Sequence, residues 1–348
     1  MMRLYYAPLE GITGYAYRNA HRALFVKPDR YYTPFITANH NMIMANREKR
    51  DIAPENNRGV PLVPQVLANR AEQFVWALGE MESRGYREVN LNLGCPSPTV
   101  VTRGRGSAML ADPDELDRFF EESFSLMERQ GVSVQLSVKT RIGSADTSVA
   151  MDLSRVYNRY PFCEVIIHPR TRLQQYGGQP DLAVFGEMLA ASVHPVCYNG
   201  NINTVEDYVR LREHFPEEKY PMLQAVMLGR GLLRDPMLAE KIAGLKDEEP
   251  AAGGANADAV PRYAADEREM LRKFHDTYLA GIRREIPEDN NVLMKMKEFW
   301  TYMGDRFGES EKLRKKIKKA RAMAEYLGLA AQVFDGCPVI EAARGLEL

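Results

Sequence analysis

A cysteine at the end of a predicted strand is the residue in this sequence best suited to proton transfer. Apolar residues alternate with asparagines over residues 89–93, which predicts a strand, and Gly94 ends that strand just before Cys95. Pro96 and Pro98 prevent a helix there, so we expect Cys95 on a mobile loop at the strand tip. A thiol with a pKa near ~8.5 is protonated at neutral pH and can donate. A buried structural cysteine after a core strand is the alternative interpretation.

Strand-like runs alternate with helical patterns through most of the chain. The strand-like runs cover residues 4–9, 31–37, 62–67, 88–94, 134–141, 162–168, 195–200 and 225–231. The helical patterns include residues 71–84, 114–130, 205–214 and 232–244. Asp112 and Thr204 are predicted N-caps. A strand and helix in about every 30 residues indicates parallel βαβ units, and eight of them predict an α/β fold, a (β/α)8 TIM barrel.

Polar or glycine residues end most of the predicted strands. In a TIM barrel the carboxyl ends of the strands meet on one face, where active sites lie. We therefore expect one pocket to contain Pro8, Glu10, Gln65, Asn92, Cys95, Lys139, Arg141, His168, Asn199, Gly229 and Arg230.

The last two predicted strands end in glycine-containing turns that are typical of phosphate binding. Asn199, Gly200 and Asn201 follow the seventh strand, and Gly229 and Arg230 follow the eighth. Glycine allows backbone N–H groups to approach a ligand closely, a helix N-terminus favours an anion, and barrels often bind phosphate between these two loops.

Three further residues predict a heterocyclic cofactor that carries this phosphate. Lys139 would offset negative charge on a bound ring, and Gln65 offers an amide to a heterocycle edge. His168 is ambiguous, because a histidine at a strand end is often only a hydrogen-bonded structural residue. The four cysteines show no metal-type spacing, so no metal is expected. FMN fits this set of residues best, with Cys95 as the acid.

Strand patterns stop after the barrel. We divide the chain into a catalytic barrel, a small polar linker, a helical domain and a C-terminal tail, at residues 1–245, 246–261, 262–330 and 331–348. Helical patterns cover residues 265–284, 291–307 and 310–327. The tail includes Cys337, and the sequence suggests no function for it.

Residues 312–321 carry seven basic side chains and no acidic one. The residues spaced to pack inward are Leu313, Ile317, Ala320, Ala324 and Leu327. The like charges repel one another, which a polyanionic partner would relieve, and a solvated helix face is the alternative.

The composition is that of an ordinary globular protein. Its 348 residues are 45% hydrophobic and 27% charged, with a net charge of −1. There is no run of about 18 apolar residues and no apolar signal region at the N-terminus, so we expect no membrane span and a cytoplasmic location. We expect a monomer.

Six ordered motifs resemble those of the tRNA-dihydrouridine synthases, FMN enzymes that reduce a uracil in tRNA. They are Ala7-Pro-Leu-Glu-Gly-Ile-Thr13 with Arg18, Asn92-Leu-Gly-Cys-Pro-Ser-Pro98 with Gly106-Ser-Ala-Met-Leu110, Val138-Lys-Thr-Arg-Ile-Gly143, His168-Pro-Arg-Thr-Arg172 with Tyr176, Val196-Cys-Tyr-Asn-Gly-Asn-Ile202, and Val226-Met-Leu-Gly-Arg-Gly231. The chain departs from the family pattern at Leu9, Gly14 and Pro169, where Met, Asp, and Gly or Ala are usual.

This resemblance implies a role for each candidate residue. FMN would be bound by Pro8, Leu9, Gln65, Asn92, Lys139, His168, Asn199, Gly200, Asn201, Gly229 and Arg230. Cys95 would protonate C5 of the uracil while flavin N5 gives hydride to C6, and NADPH would reduce the flavin again. Asn92, Arg141 and Tyr176 would help to hold the flavin and the target base. The predicted tRNA contacts are Lys295, Lys297, Lys312, Arg314, Lys315, Lys316, Lys318 and Lys319.

Two other functions remain open. An FMN-dependent small-molecule pyrimidine or dihydroorotate dehydrogenase would share the cofactor site, although it has no need of a basic helical domain. A tRNA-binding protein without catalysis would have no need of Cys95 and Lys139. The sequence states neither the modified uridine nor the choice between NADPH and NADH.

Overall fold

Ten parallel β-strands form the centre of the protein in a computed structural model that describes residues 2–245, 267–343 and 345–346. The strands are β1 (Arg3–Tyr6), β2 (Arg30–Tyr32), β3 (Ile36–Thr37), β4 (Leu62–Val63), β5 (Gln65–Leu67), β6 (Glu88–Asn92), β7 (Gln135–Arg141), β8 (Phe162–His168), β9 (Val196–Tyr198) and β10 (Leu223–Leu228).

The strand pairing closes these ten strands into a barrel with eight positions. β1 pairs with both β10 and β2, so the first and last positions are neighbours. β2 and β3 are the two halves of one predicted strand, and β4 and β5 are the halves of the next; β2 pairs with β4, and β3 with β5. Pro64 separates the second pair of halves and has no N–H for the ladder. The predicted TIM-barrel class is confirmed.

Helices surround the barrel and connect its strands. They are α1 (Tyr15–Leu24), α2 (Asn46–Ile52), α3 (Ala71–Ser83), α4 (Pro98–Val101), α5 (Pro113–Gln130), α6 (Ala150–Asn158), α7 (Leu182–Ala191), α8 (Val205–His214), α9 (Arg230–Arg234) and α10 (Leu238–Gly244). The predicted N-caps are confirmed, because Asp112 accepts from the Glu115 N–H at 3.0 Å and Thr204 from the Asp207 N–H at 3.1 Å. The single helix predicted at 232–244 is two, since the backbone becomes extended at Asp235 before Pro236.

Four helices follow: α11 (Glu267–Glu285), α12 (Asp289–Met303), α13 (Glu311–Lys319) and α14 (Met323–Gly336). The helix predicted at 310–327 breaks where Ala320 and Ala322 are extended, so the inward stripe changes phase. Ile317 and Ala320 are buried as predicted, but Ala324 and Leu327 are exposed and the prediction is wrong for them. The predicted linker 246–261 lies outside the described residues.

The C-terminal helices share one apolar core with the barrel. α11 packs against α1, where Phe274 and Tyr278 meet Tyr17 edge to face at ring-centroid distances of 5.3 and 5.1 Å. Such aromatic pairs are worth about 0.5–1.5 kcal/mol beyond the area that they bury. In the described parts of the chain, no helix is long and apolar enough to cross a membrane.

Four charged side chains, two of them buried, also join the barrel to the C-terminal helices. Arg306 follows α12 and is only 2% exposed; it donates to Asp235 of the barrel and to Glu267 of α11, the latter at 2.7 Å. Lys241 on α10 pairs with Asp235 at 2.9 Å and with Glu267. Two cations and two anions therefore balance one another in a largely enclosed cluster, and removing Arg306 leaves two carboxylates with only Lys241 to compensate them.

We therefore predict that Arg306→Met lowers the free energy of unfolding by about 3–5 kcal/mol. Urea unfolding followed by circular dichroism measures this quantity. Arg155→Met is the matched control, because Arg155 pairs with Asp152 on the surface with 74% of its side chain exposed, and such pairs contribute about 1 kcal/mol or less. Equal losses from the two substitutions would contradict a stabilising role for the cluster around Arg306.

Candidate active site

A cavity of 450 Å³ opens at the carboxyl ends of the strands. It brings together the residues predicted to hold the cofactor and the target base: Pro8, Leu9, Gln65, Asn92, Cys95, Lys139, Arg141, His168, Tyr176, Asn199, Gly200, Asn201, Gly229 and Arg230. It is also lined by Arg170 of the β8–α7 loop and by Glu298 and Tyr302 of α12.

Asn92, the last residue of β6, fixes the backbone of Cys95. Its side-chain oxygen accepts hydrogen bonds from the N–H groups of Gly94 at 3.0 Å and Cys95 at 2.9 Å. Its side-chain nitrogen donates to the Gln65 amide oxygen at 2.7 Å. Asn92 therefore shapes the turn that carries the thiol, in addition to lining the cavity.

The same chain of hydrogen bonds continues into the barrel interior. Gln65 donates to Asn90 at 2.7 Å, Asn90 donates to the Ser137 hydroxyl at 3.0 Å, and Ser137 donates to the Glu88 carboxylate at 2.9 Å. Glu88 pairs in turn with Arg30 at 2.8 Å. The Gln65 amide is thus largely occupied within the protein, and one N–H at most remains for the heterocycle edge that the sequence predicts.

The loop that carries Cys95 is folded by its own hydrogen bonds, whereas the sequence predicts a mobile loop. The prediction that Pro96 and Pro98 prevent a helix there is wrong, because α4 begins at Pro98, a position where proline is tolerated. A 3₁₀ helix follows at Gly106–Ala111, and Ser107 donates its hydroxyl to the Cys95 carbonyl at 2.7 Å. Gly106 has a φ of +59°, and a Cβ there would lie 3.0 Å from the same carbonyl. The close approach of the two loop segments therefore requires glycine.

Cys95 has a protonated thiol at neutral pH. Burial raises its pKa, and this effect outweighs the opposing effects of a backbone hydrogen bond from Ser97 and of the Arg141 charge. The group is consequently suited to donate a proton and poorly suited to act as a thiolate nucleophile.

Lys139 contributes an unpaired cation to the cavity. No hydrogen bond or ion pair of its ammonium occurs within the described residues. Burial, together with the nearby Arg141 charge, lowers the pKa of Lys139 to about 8. A half-buried ammonium without a partner is unfavourable in the free protein and is stabilised when an anionic or electron-rich group binds beside it.

His168 is held as a neutral ring by Arg170. An Arg170 N–H donates to the His168 Nε2 at 3.0 Å, so Nε2 is the acceptor and Nδ1 carries the hydrogen. Burial and the surrounding positive charges, first among them Arg141, keep the pKa of His168 well below its ordinary value. His168 therefore offers a neutral N–H donor, and Arg170 is the partner that selects this tautomer.

Tyr176 lies between two arginines at the cavity. The Arg141 and Arg230 guanidinium carbons lie 5.6 and 4.9 Å from its ring centroid, within the range of cation–π attraction. Arg141 also donates to the carbonyls of Gly94 at 2.7 Å and Gln175 at 2.8 Å. Because 55% of Tyr176 is exposed, its ring can contact a large substrate.

The two loops predicted to bind phosphate are in contact. A Cβ at Gly231 would lie 2.2 Å from the Ile202 carbonyl, so only glycine allows the approach. Asn199 donates to the Met227 carbonyl at 2.8 Å, and Arg230 donates to Asn201 Oδ1 at 3.3 Å. Arg230 and the two glycine-containing turns thus meet at one end of the cavity.

The predicted tRNA contacts lie outside the residues that line this cavity. Lys295 on α12 donates to the Gly11 carbonyl and lies 3.7 Å from Glu298, and Arg314 pairs with Asp305 at 2.6 Å. Lys297 is half-buried. The remaining lysines are exposed on α13 and form no ion pair with a described residue; they are Lys312, Lys315, Lys316, Lys318 and Lys319.

Sequence reasoning missed Glu298 and Tyr302. Both lie on α12, and nothing in the α12 pattern states which of its faces meets the barrel. Sequence reasoning places Arg170 only within the motif His168-Pro-Arg-Thr-Arg172, with no role of its own. Its position two residues after a strand-end histidine was the available signal for a direct partner.

Comparison with known proteins identifies the family. Residues 5–329 match the model of the family described as dihydrouridine synthase. The similar proteins include several named tRNA-dihydrouridine(16) synthase, from which three serve as examples. The one from Cupriavidus necator is 28% identical over 72% of this chain and 76% of its own length. Those from Ralstonia nicotianae and Neisseria meningitidis are 26% and 24% identical, over 72% and 79% of this chain and 76% of their own lengths. The chain therefore belongs to the dihydrouridine synthase family.

Proposed function

We propose that this protein is an FMN-dependent tRNA-dihydrouridine synthase that reduces the 5,6 double bond of a uridine in tRNA. The observation that carries the proposal is that a protonated Cys95 and an unpaired Lys139 line one cavity. The proposal includes NADPH as the reductant and a monomer acting in the cytoplasm.

The residues of the cavity fit FMN. Its volume of 450 Å³ lies within the range of about 300–1,000 Å³ that is usual for ligand pockets. Arg230 and the turns after β9 and β10 supply donors for a phosphate, while His168 supplies an N–H and Lys139 a cation for the ring. Bound FMN would supply the hydride, which no side chain can.

The chain's own contribution is to position the reactants and to deliver one proton. The Asn92 turn fixes the Cys95 backbone, and the thiol would donate its proton to C5 of the uracil. Lys139 would offset negative charge on the flavin ring. The folded loop around Cys95 would limit the access of water to the cavity. The thiolate left by Cys95 would lie near the Arg141 charge, which favours the ionised form.

A uridine stacked in tRNA must be extruded to enter this cavity. Tyr176 offers an exposed aromatic face for such a base, and the α13 lysines offer charge for the phosphate backbone. The relatives named above act on position 16 by their names, so we propose uridine 16 as the target.

The alternative function is a small-molecule pyrimidine or dihydroorotate dehydrogenase. The substrate that the purified protein reduces distinguishes it from a tRNA-dihydrouridine synthase. We expect purified protein to show flavin absorption and to oxidise NADPH with unmodified tRNA, leaving dihydrouridine at position 16. Dihydrouridine at another position would overturn only the proposed target. Flavin absorption with turnover of a free pyrimidine, and none of tRNA, would favour the alternative.

Substitution of Cys95 tests the proton donor. We expect Cys95→Ala to slow single-turnover uridine reduction by about 10²–10⁴-fold, the usual contribution of a positioned acid. In the wild type the rate should stay constant through neutral pH and fall only when the thiol ionises, because the pKa of Cys95 is raised. Cys163→Ala is the control, since Cys163 lies at the amino end of β8, opposite the cavity. A Cys95→Ala rate equal to that of the control would exclude Cys95 as the acid.

The affinity for FMN should depend on the protonation of Lys139. As the pH rises from 7 to 9 through the pKa of about 8, free Lys139 loses its charge, and the dissociation constant should rise by up to about tenfold. The FMN phosphate stays fully charged in this range, because its second pKa is near ~6. Titration by flavin fluorescence measures the change.

Lys139→Met should bind FMN weakly at both pH values, with no dependence between them. Lys219→Met is the control, because Lys219 is exposed before β10 on the opposite face. A wild-type affinity that is constant from pH 7 to 9 would count against the assignment of Lys139.

The α13 lysines should govern the salt dependence of tRNA binding. The triple substitution of Lys315, Lys318 and Lys319 by Gln should reduce the slope of log affinity against log salt by about 2–3, one unit or slightly less for each lost phosphate contact. The matched control substitutes Arg58, Arg87 and Lys219, three exposed cations that precede strands. Identical slopes in both triple variants would remove α13 from the tRNA interface.

A further inference from the structure

We infer that the C-terminal residues Gly345 and Leu346 are positioning residues for the anion-binding end of the cavity, where they hold Arg230 through Asn201. This inference rests on the proposed FMN site and adds a part of the chain for which the sequence suggested no function. The ligand group concerned is the phosphate of FMN.

A buried carboxylate joins the C-terminal segment to the β9–α8 loop. Asp207 on α8 is 0% exposed and accepts from the N–H groups of Asn203 at 2.8 Å and Thr204 at 3.0 Å. It also accepts from Gly345 at 2.9 Å and Leu346 at 3.0 Å. One charge thus satisfies two N–H groups of the loop and two of the C-terminal segment, so their relative position is fixed.

Asn201 carries this connection into the cavity. Its φ of +47° is left-handed, which is uncommon for a residue other than glycine, so other contacts must hold it. Its side-chain nitrogen donates to the Gly345 carbonyl at 2.7 Å, and its oxygen accepts from Arg230 at 3.3 Å. The Gly345 carbonyl therefore orients the Asn201 amide so that the oxygen faces Arg230.

The contact at Gly345 leaves no space for a side chain. A Cβ there would lie 2.2 Å from the Asn201 carbonyl oxygen and 2.4 Å from the Asn203 side-chain nitrogen. Leu346 is 1% exposed and anchors the segment in the apolar core. Any side chain at 345 must therefore displace either the C-terminal segment or the loop that lines the cavity.

Arg230 depends on this support because its side chain is long and has few described partners. It lies against the Tyr176 ring and donates to Asn201. Without the Gly345 carbonyl, the Asn201 nitrogen keeps the longer bond to Gln179 at 3.4 Å in place of the 2.7 Å bond, so the amide is held less firmly. Arg230 would then have to be ordered by the ligand at the moment of binding, which weakens binding. The effect should be confined to ligands that carry a phosphate.

The comparison of FMN with riboflavin, which lacks the phosphate, isolates this effect. We expect Gly345→Ala to raise the dissociation constant for FMN about tenfold, the loss expected for one charge-assisted hydrogen bond, and to leave that for riboflavin within twofold. Gly328→Ala is the matched control, because a Cβ at Gly328 on α14 meets nothing within 4 Å. Flavin fluorescence quenching measures all of these constants on the full chain.

Leu346→Ala provides a second test if Gly345→Ala yields no folded protein; it should weaken FMN, and not riboflavin, in the same direction. Arg230→Gln should produce the same selective loss, and adding Gly345→Ala to it should cause little more. Equal weakening of FMN and riboflavin would show a merely structural role, and unchanged FMN binding would show none; either result overturns the inference alone. Wild-type protein that binds neither flavin would overturn the proposed cofactor as well.

Discussion

The geometry of Cys95 depends on the chain of side-chain hydrogen bonds inside the barrel, which runs from Glu88 to Asn92. Each end of this chain fixes, independently of the other, which group donates and which accepts in every bond. At one end the Glu88 carboxylate can only accept, so Ser137 must donate; at the other end backbone N–H groups can only donate, so the Asn92 oxygen must accept. Reversing any amide between them would oppose two donors or two acceptors. The turn that carries the thiol is therefore specified from deep within the barrel, and aligned bonds of this kind strengthen one another.

Electrostatics at the cavity follow from an excess of buried cations. Burial lowers the pKa values of Lys139 and Arg141, the latter to about 10. Burial, reinforced by the surrounding positive charges, also lowers the pKa of His168 and keeps it neutral. This arrangement is costly in the free protein, since like charges are held together with little compensation. It becomes favourable when an anion enters, which is the physical reason for assigning this cavity to a phosphorylated cofactor.

The sequence predicts the barrel well because its signals are local. Alternation within strands, caps such as Asp112 and Thr204, and a regular repeat each depend on a few neighbouring residues, and strand closure then brings the strand-end residues together. Contacts between distant segments could not be read in this way. The pairing of Arg170 with His168, the approach of α12 to the cavity and the phase change at Ala320 depend on three-dimensional packing or on backbone conformation that no short pattern states.

One departure from the family pattern shows how such distant contacts replace local ones. Gly14 precedes α1 where the resembling enzymes usually have Asp, and glycine offers no side chain to cap the helix. Asp51, at the end of α2, supplies the missing acceptor: its carboxylate accepts from the Tyr15 N–H at 2.6 Å and pairs with Arg18 at 3.2 Å. A carboxylate therefore lies at the start of α1 although the cap position itself, Gly14, carries none. Distant segments contribute to the cavity in the same way. The strand ends supply most of its lining, α12 adds Glu298 and Tyr302, and the C-terminal segment supports Asn201 through Gly345.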